Sequence, residues 1–277
     1  MVLDIFTCRS NNNMLLYMLY PLAGALAGLL AGLLGVGGGV VVIPIMVFLF
    51  AVQGFPHEHI MHTALGTSLA TIMLTSLSSL REHHRCHAVH WGIVKRITPG
   101  IVLGTLSGSW LAAGLSPTVL KAIFACFLVY VAAQMLLNLE PKPTRRLPKA
   151  AGILGVGGFI GLVSSLVGIG GGTLSVPFLT WCNLPVHHAI GTSAAIGFPI
   201  AAAGTLGYLA TGLSASGLPA ENFGFINLPA LAGIALFSML TAPTGARLAH
   251  RLRVPAIKRV FAFFLVLVAA RMLWSLL

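Results

Sequence analysis

The sequence predicts an all-α polytopic membrane protein built from two inverted repeats. Each repeat is a glycine-broken re-entrant hairpin, or two short helices, plus about three transmembrane helices. Three observations predict this class. The chain is 57% hydrophobic and only 8% charged, with a mean hydropathy of +0.95, whereas a soluble domain carries about 25% charged residues to cover its surface. Apolar runs at 101–115, 119–139 and 260–277 have lengths suited to membrane helices, which need roughly 20 residues. Finally, Gly35-Val36-Gly37-Gly38-Gly39, followed by Pro44, returns as Gly168-Ile169-Gly170-Gly171-Gly172, followed by Pro177.

Residues 1–13 hold Asp4, Arg9 and a run of asparagines ahead of the first apolar segment. They lack the order of a cleaved signal peptide, so that segment is expected to remain as membrane structure. The first repeat is assigned to 14–139. In it, Gly24, Gly28 and Gly32 stand at four-residue spacing, which suits close helix packing. The glycine run and Pro44 follow, then His62-Thr63-Ala64-Leu65-Gly66-Thr67-Ser68, a basic stretch at 81–96 and the runs at 101–115 and 119–139. A linker at 140–149 carries Lys142, Arg145, Arg146 and Lys149.

The second repeat, 150–277, restates these blocks in the same order. Residues 24–44 match 157–177 at an offset of 133, and 62–68 match 187–193 at an offset of 125. Residues 108–136 match 245–273 at an offset of 137, including Lys121/Lys258 and Phe124/Phe261. Preserved order marks an internal duplication.

Loop charges give its orientation. The stretch 81–96 carries Arg81, Arg85, Lys95 and Arg96, whereas its counterpart 211–225 has no Lys or Arg and contains Glu221. The next pair reverses: 113–118 has neither Lys nor Arg, whereas 250–259 carries Arg251, Arg253, Lys258 and Arg259. Cytoplasmic loops collect Lys and Arg, so equivalent loops fall on opposite sides and the linker lies in the cytoplasm. Helices over 152–167 and 173–183 would measure about 24 Å and about 17 Å, both short of a hydrocarbon core about 30 Å thick. A re-entrant hairpin fits these lengths, and two short full crossings satisfy the same parity.

The candidate site follows from the glycines. Gly35, Gly37, Gly38 and Gly39, with Gly168, Gly170, Gly171 and Gly172, let successive N–H groups converge on a ligand. The apolar segment after each run would start a helix whose positive dipole end faces that ligand, which suits an anion. Simple close packing is the competing reading. These are not nucleotide loops: no Gly-Lys-Ser/Thr follows, and Val40 and Thr173 stand where a dinucleotide fingerprint needs its third glycine. Thr67, Ser68, Thr192 and Ser193 are candidate hydroxyl donors, two per half, or ordinary interhelical hydrogen-bonding groups. His62 and His187 occupy equivalent positions and are candidates for gates or proton carriers, or mark a membrane surface.

Other chemistries lack support. His83, His84, Cys86, His87 and His90 are mixed with arginines in a basic stretch, unlike the defined ligand pairs of a zinc site. Cys8, Cys86, Cys126 and Cys182 show neither pairing nor metal spacing. Metal and cofactors are not expected, and no catalytic residue is assigned. The net charge of +11 is dispersed among short loops, which argues against nucleic acid. All five acidic residues, Asp4, Glu58, Glu82, Glu140 and Glu221, fall in expected loops or ends, so no buried carboxylate is available as an ion carrier. Anion exit from a negative interior needs none, being favourable by about 2.3 kcal/mol per charge per 100 mV.

The run from Gly28 to Gly39 with Pro44, then Ala64-Leu65-Gly66-Thr67-Ser68, resembles the sulfite exporter TauE/SafE family. So do the turn ending in Val89-His90-Trp91 and the helix around Gly104-Thr105-Leu106-Ser107-Gly108. The resemblance runs from about residue 16 to 277. It implies a bacterial inner-membrane permease for sulfur-containing anions such as sulfite, thiosulfate or organosulfonates, with both copies of the glycine run and Gly-Thr-Ser triplet at its site. The expected function is export of such an anion. Import of the same or another small organic anion, a membrane-embedded enzyme and a non-transporting scaffold are the alternatives. The expected partners are the anion and the lipid bilayer, with a homo-oligomer left open.

Overall fold

The structure is a computed structural model describing residues 18–30, 38–137, 144, 147–249 and 254–275, with the side chains of 245–247, 249 and 254–258 excepted. The expectations for Gly35 and Gly37, Asp4, Cys8, Glu140 and most of the linker lie outside the described residues. The described chain is almost wholly helical. In the first half, α1 is Met18–Leu30, followed by α2 (Gly39–Val52), α3 (His57–Arg85), α4 (Trp91–Gly114) and α5 (Pro117–Leu136). In the second half come α6 (Ala150–Val167), α7 (Gly172–Trp181), α8 (Val186–Leu213), α9 (Leu228–Ala249) and α10 (Val254–Trp274). Between α8 and α9 a two-stranded ladder pairs β1 (Asn222–Phe223) with β2 (Ile226–Asn227). Among the described residues, α3, α5, α6 and α8 are long and apolar enough to cross a membrane.

The helix ends have local causes. The Ser116 hydroxyl accepts the Val119 N–H and Pro117 opens α5, satisfying amides that the first turn leaves unpaired. Gly168 ends α6 in the left-handed conformation, at φ 67°, a region that glycine enters without penalty. The stretch 81–96 corrects the expectation of a loop. His83, His84 and Arg85 form the last turn of α3, and Lys95 and Arg96 lie inside α4. Basic side chains at a helix C-terminus complement its dipole, so α3 outlasts its apolar segment. The span 211–225 is likewise not a plain loop: α8 reaches Leu213, and β1 with Gly224 (φ 58°) follows.

Packing repeats residue by residue between the halves. On the α4–α6 face, a Cβ on Gly157 would lie 2.6 Å from the Ile97 carbonyl oxygen, and one on Gly161 would lie 2.4 Å from that of Ile101. On the α1–α9 face, Gly24 meets the Ile234 oxygen at 2.5 Å and Gly28 that of Ser238 at 2.4 Å, measured the same way. These are the positions that the offsets of 133 and 137 relate. Any side chain at the four glycines would collide with backbone, which is the physical content of their spacing. Each half therefore packs its first helix against the other half's fourth.

Directions are also recorded in contacts. Gly66 of α3 packs on Tyr208 of α8, while Leu69 packs on Gly204, so these equivalent helices run antiparallel. Lys121 near the start of α5 donates to Ser275 just past the end of α10, again antiparallel. Helices α6 and α7 fold back on one another. The Trp181 Nε1–H donates to Thr144 Oγ1 at 3.1 Å, and the Thr144 N–H donates to the Trp181 carbonyl at 3.3 Å. The end of α7 thus returns to the chain just ahead of α6. A cleft of about 520 Å³ separates the two arms, lined mainly by Val156, Phe159, Ile160, Leu174, Phe178 and Trp181.

Candidate functional site

The two glycine breaks meet. A Cβ on Gly39, at the head of α2, would lie 2.6 Å from the Gly168 carbonyl oxygen and 3.1 Å from Ser68 Oγ. The second break is held from both ends. Ser68 Oγ donates to the Gly168 carbonyl at 2.8 Å, and Ser175 Oγ donates to the Gly171 carbonyl at 2.8 Å. Ser193 lies 2.6 Å from Ser175, and donates to it because the Ser175 proton is already committed. Gly168 and Gly171 both adopt positive φ, 67° and 77°, so the backbone turns sharply before α7. Between those braces, the N–H groups of Gly170, Gly171, Gly172 and Thr173 meet no acceptor among the described residues. They open a ten-residue helix, where unpaired amides and the dipole both favour negative charge.

The first break is not its copy. Gly38 caps α2 at φ −65°, an ordinary right-handed value, where Gly171 is left-handed. After the glycines the first half continues Val40-Val41-Val42 and the second Thr173-Leu174-Ser175.

Thr67 and Thr192 have matching positions and reciprocal partners. Thr67 Oγ1 accepts the Asn227 N–H at 2.9 Å, and Thr192 Oγ1 accepts the His90 N–H at 3.0 Å. Asn227 and His90 immediately precede α9 and α4 and are related by the offset of 137. The neighbouring glycines reciprocate too, with Gly66 against the Phe225 carbonyl and Gly191 against that of Ala88. Each threonine therefore ties its half to the start of the other half's fourth helix and keeps its own hydroxyl proton as a donor.

His62 and His187 sit in unlike surroundings. His62 is buried, donates from Nε2 to the Ala112 carbonyl at 3.0 Å and stacks on Phe225 with ring centroids 5.1 Å apart. His187 is exposed, 5.8 Å from the ring of His188, which in turn lies 4.8 Å from His90. His84 accepts the Trp91 indole N–H at 3.2 Å. Among the described residues no group of three His, Cys, Asp or Glu could hold a metal ion. Glu58 and Glu82 stand in the first and last turns of α3, and Glu221 precedes β1.

Two further residues stand at the second break. Ser164 Oγ and Thr173 Oγ1 are buried and lack any hydrogen-bond partner among the described residues. Ser164 Oγ lies 3.5 Å from where a Cβ on Gly171 would stand. The signal for them was present in the aligned repeats, since Ser164 falls opposite Ala31 and Thr173 opposite Val40. The glycines mark what the halves share, and these two residues mark where they differ.

A chain almost wholly helical in its described residues, with several apolar spans, glycine-mediated helix contacts and a helix break between α6 and α7, is a polytopic α-helical membrane protein. Residues 20–272 match the sulfite exporter TauE/SafE family, and the chain belongs to that family. It is 38% identical over 257 residues to a probable membrane transporter protein of Haemophilus influenzae, covering 92% of this chain and 97% of that one. It is 28% identical over 220 residues to one of Methanocaldococcus jannaschii, covering 78% and 80%. A third, YunE of Bacillus subtilis, is 23% identical over 218 residues, covering 71% and 79%. No solved structure matches the chain. The protein is thus a multi-pass membrane transporter.

Proposed function

We propose that the protein exports a small sulfur-containing anion, such as sulfite, thiosulfate or an organosulfonate, across the bacterial inner membrane. The observation that carries this reading is the head of α7, where the amides of Gly170 to Thr173 find no acceptor among the described residues within a buried glycine break. Converging amides at a helix N-terminus favour an anion over a cation or a neutral solute. The family name supplies the sulfur chemistry.

The two halves are an inverted repeat around this break, each with a re-entrant hairpin. Antiparallel contact between the equivalent helices α3 and α8, and between α5 and α10, supports that relation. The return of Trp181 to Thr144 supports the hairpin. The basic ends of α3 and α4 would face the cytoplasm and raise the local concentration of anion there. Outward movement is downhill in the usual potential, and the acidic residues described on α3 lie in its end turns.

Purified protein in proteoliposomes, loaded with ³⁵S-labelled sulfite or thiosulfate, tests the reading. Saturable efflux that accelerates when the inside is made negative is expected. Wild-type protein, folded and inserted, that moves neither these anions nor an organosulfonate would overturn it.

A further inference from the structure

The glycine breaks and the Gly-Thr-Ser triplets repeat in sequence, but three hydroxyls at the second break, those of Ser164, Thr173 and Ser175, do not. Ser164 is 2% exposed and Thr173 7%, and neither hydroxyl finds a partner among the described residues. An unpaired hydroxyl buried this deeply is costly. Ser164 points toward the second break, with its Oγ 3.5 Å from the Cβ position of Gly171. Thr173 is itself one of the four residues at the head of α7 whose amides find no acceptor among the described residues. In the first half the equivalents are Ala31 and Val40, with Val42 in place of Ser175. That break therefore has no hydroxyl at any of the three positions.

We propose that the transported anion binds at the second break alone. Its donors are the amides of Gly170 to Thr173 and the hydroxyls of Ser164 and Thr173. The first break serves as a wall: Gly39 packs against Gly168, and Ser68 fixes the Gly168 carbonyl. Ser175 and Ser193 are positioning residues, because their chain of hydrogen bonds ends on the Gly171 carbonyl. Ile72 and Ile200 close over Gly170 and Gly171, their methyl groups 2.9 Å and 2.4 Å from the respective Cβ positions. The ligand class is a compact oxyanion with several acceptor oxygens, because every donor offered is neutral and short-ranged. A sulfonate or sulfite head group meets that requirement.

The inference rests on the transport reading, and the test separates the two. Initial rates of ³⁵S-sulfite and ³⁵S-thiosulfate flux are measured in proteoliposomes for wild type, Ser164→Ala, Thr173→Val, Thr173→Ser and Val40→Thr. Deleting a hydrogen bond to a charged ligand should raise the KM about tenfold or more in Ser164→Ala and Thr173→Val. Thr173→Ser keeps the hydroxyl and should restore the wild-type KM, which a purely steric role for threonine would not do. Val40→Thr should leave KM within about twofold. Thr173→Val and Thr173→Ser differ little in bulk from wild type, so this pair decides the matter even where Ser164→Ala folds poorly. An unchanged KM in Thr173→Val beside an active wild type overturns the inference and leaves the transport reading standing. A wild type silent toward both anions and toward an organosulfonate overturns the reading, and the inference falls with it.

Discussion

Ser68 Oγ donates a 2.8 Å hydrogen bond to the carbonyl of Gly168, joining the Gly-Thr-Ser triplet of one half to the glycine break of the other. That bond lies a hundred residues apart in sequence and fixes the last carbonyl before the backbone turns toward α7. In Ser68→Ala the buried carbonyl loses its donor, at a cost of about 1–3 kcal/mol. The expected result is a lower thermal midpoint in detergent and a reduced flux. A midpoint equal to wild type would remove the brace from the account.

The reciprocal threonines predict matched defects. Thr67→Val strips the acceptor from the buried Asn227 amide, and Thr192→Val strips it from the part-buried amide of His90. Both should destabilise by about 1 kcal/mol, and hydrogen exchange should accelerate at the released amide. A defect confined to one of the two would mean that the pairing is reciprocal in position but not in energy.

Glycine substitutions should sort by contact. At Gly104 a Cβ would lie 2.0 Å from the Gly158 carbonyl oxygen, whereas at Gly92 it would meet nothing within 4 Å. Both lie in α4. Gly104→Ala should cut the yield of folded protein, because helix separation must change. Gly92→Ala should be neutral or stabilising, by up to about 1 kcal/mol from helix propensity. Size-exclusion chromatography and melting curves check the contrast.

Sided labelling tests the inverted relation. Cys86 is exposed after the last turn of α3, and Ser216 is exposed in the equivalent region of the second half. In a chain otherwise free of cysteine, a membrane-impermeant maleimide should reach Cys86 only from the cytoplasm. It should reach Cys at position 216, in Ser216→Cys, only from the opposite face. Labelling of both from one face would contradict inversion. In the unsubstituted chain, burial pushes the Cys182 thiol above its ordinary pKa. It is also buried where Cys86 is exposed, so it should react more slowly than Cys86.

Much of this arrangement is legible in the sequence. Helical membrane architecture follows from composition, and the break between α6 and α7 follows from glycines that no helix interior favours. The spacing of Gly24, Gly28 and Gly32 announces close packing, and Gly157 and Gly161 are the counterparts of the first two in the repeat. It could not say that each pair packs on the opposite half, because partner choice is a tertiary property with no local signature. The true end of α3 was missed because charged residues read as loop, although a helix can continue past its apolar segment when basic groups sit at its C-terminus. The ladder of β1 and β2 was missed because two-residue strands leave no periodicity to detect. Within the site, the placing of Ser68 on the opposite half's break depends on the tertiary path. The roles of Ser164 and Thr173 emerge only once their hydroxyls are known to be buried without partners.

The measurement that bears most directly on the central claim is potential-driven ³⁵S-sulfite flux in Gly171→Ala beside wild type and Gly38→Ala. Gly171 has a φ of 77°, and an added Cβ would stand 2.4 Å from Ile200. Gly38 has a φ of −65° that alanine adopts freely. The account predicts that Gly171→Ala, recovered folded, loses flux almost completely. Gly38→Ala should retain a substantial part of it. Folded Gly171→Ala transporting at the wild-type rate and KM would contradict the placing of the anion at this break.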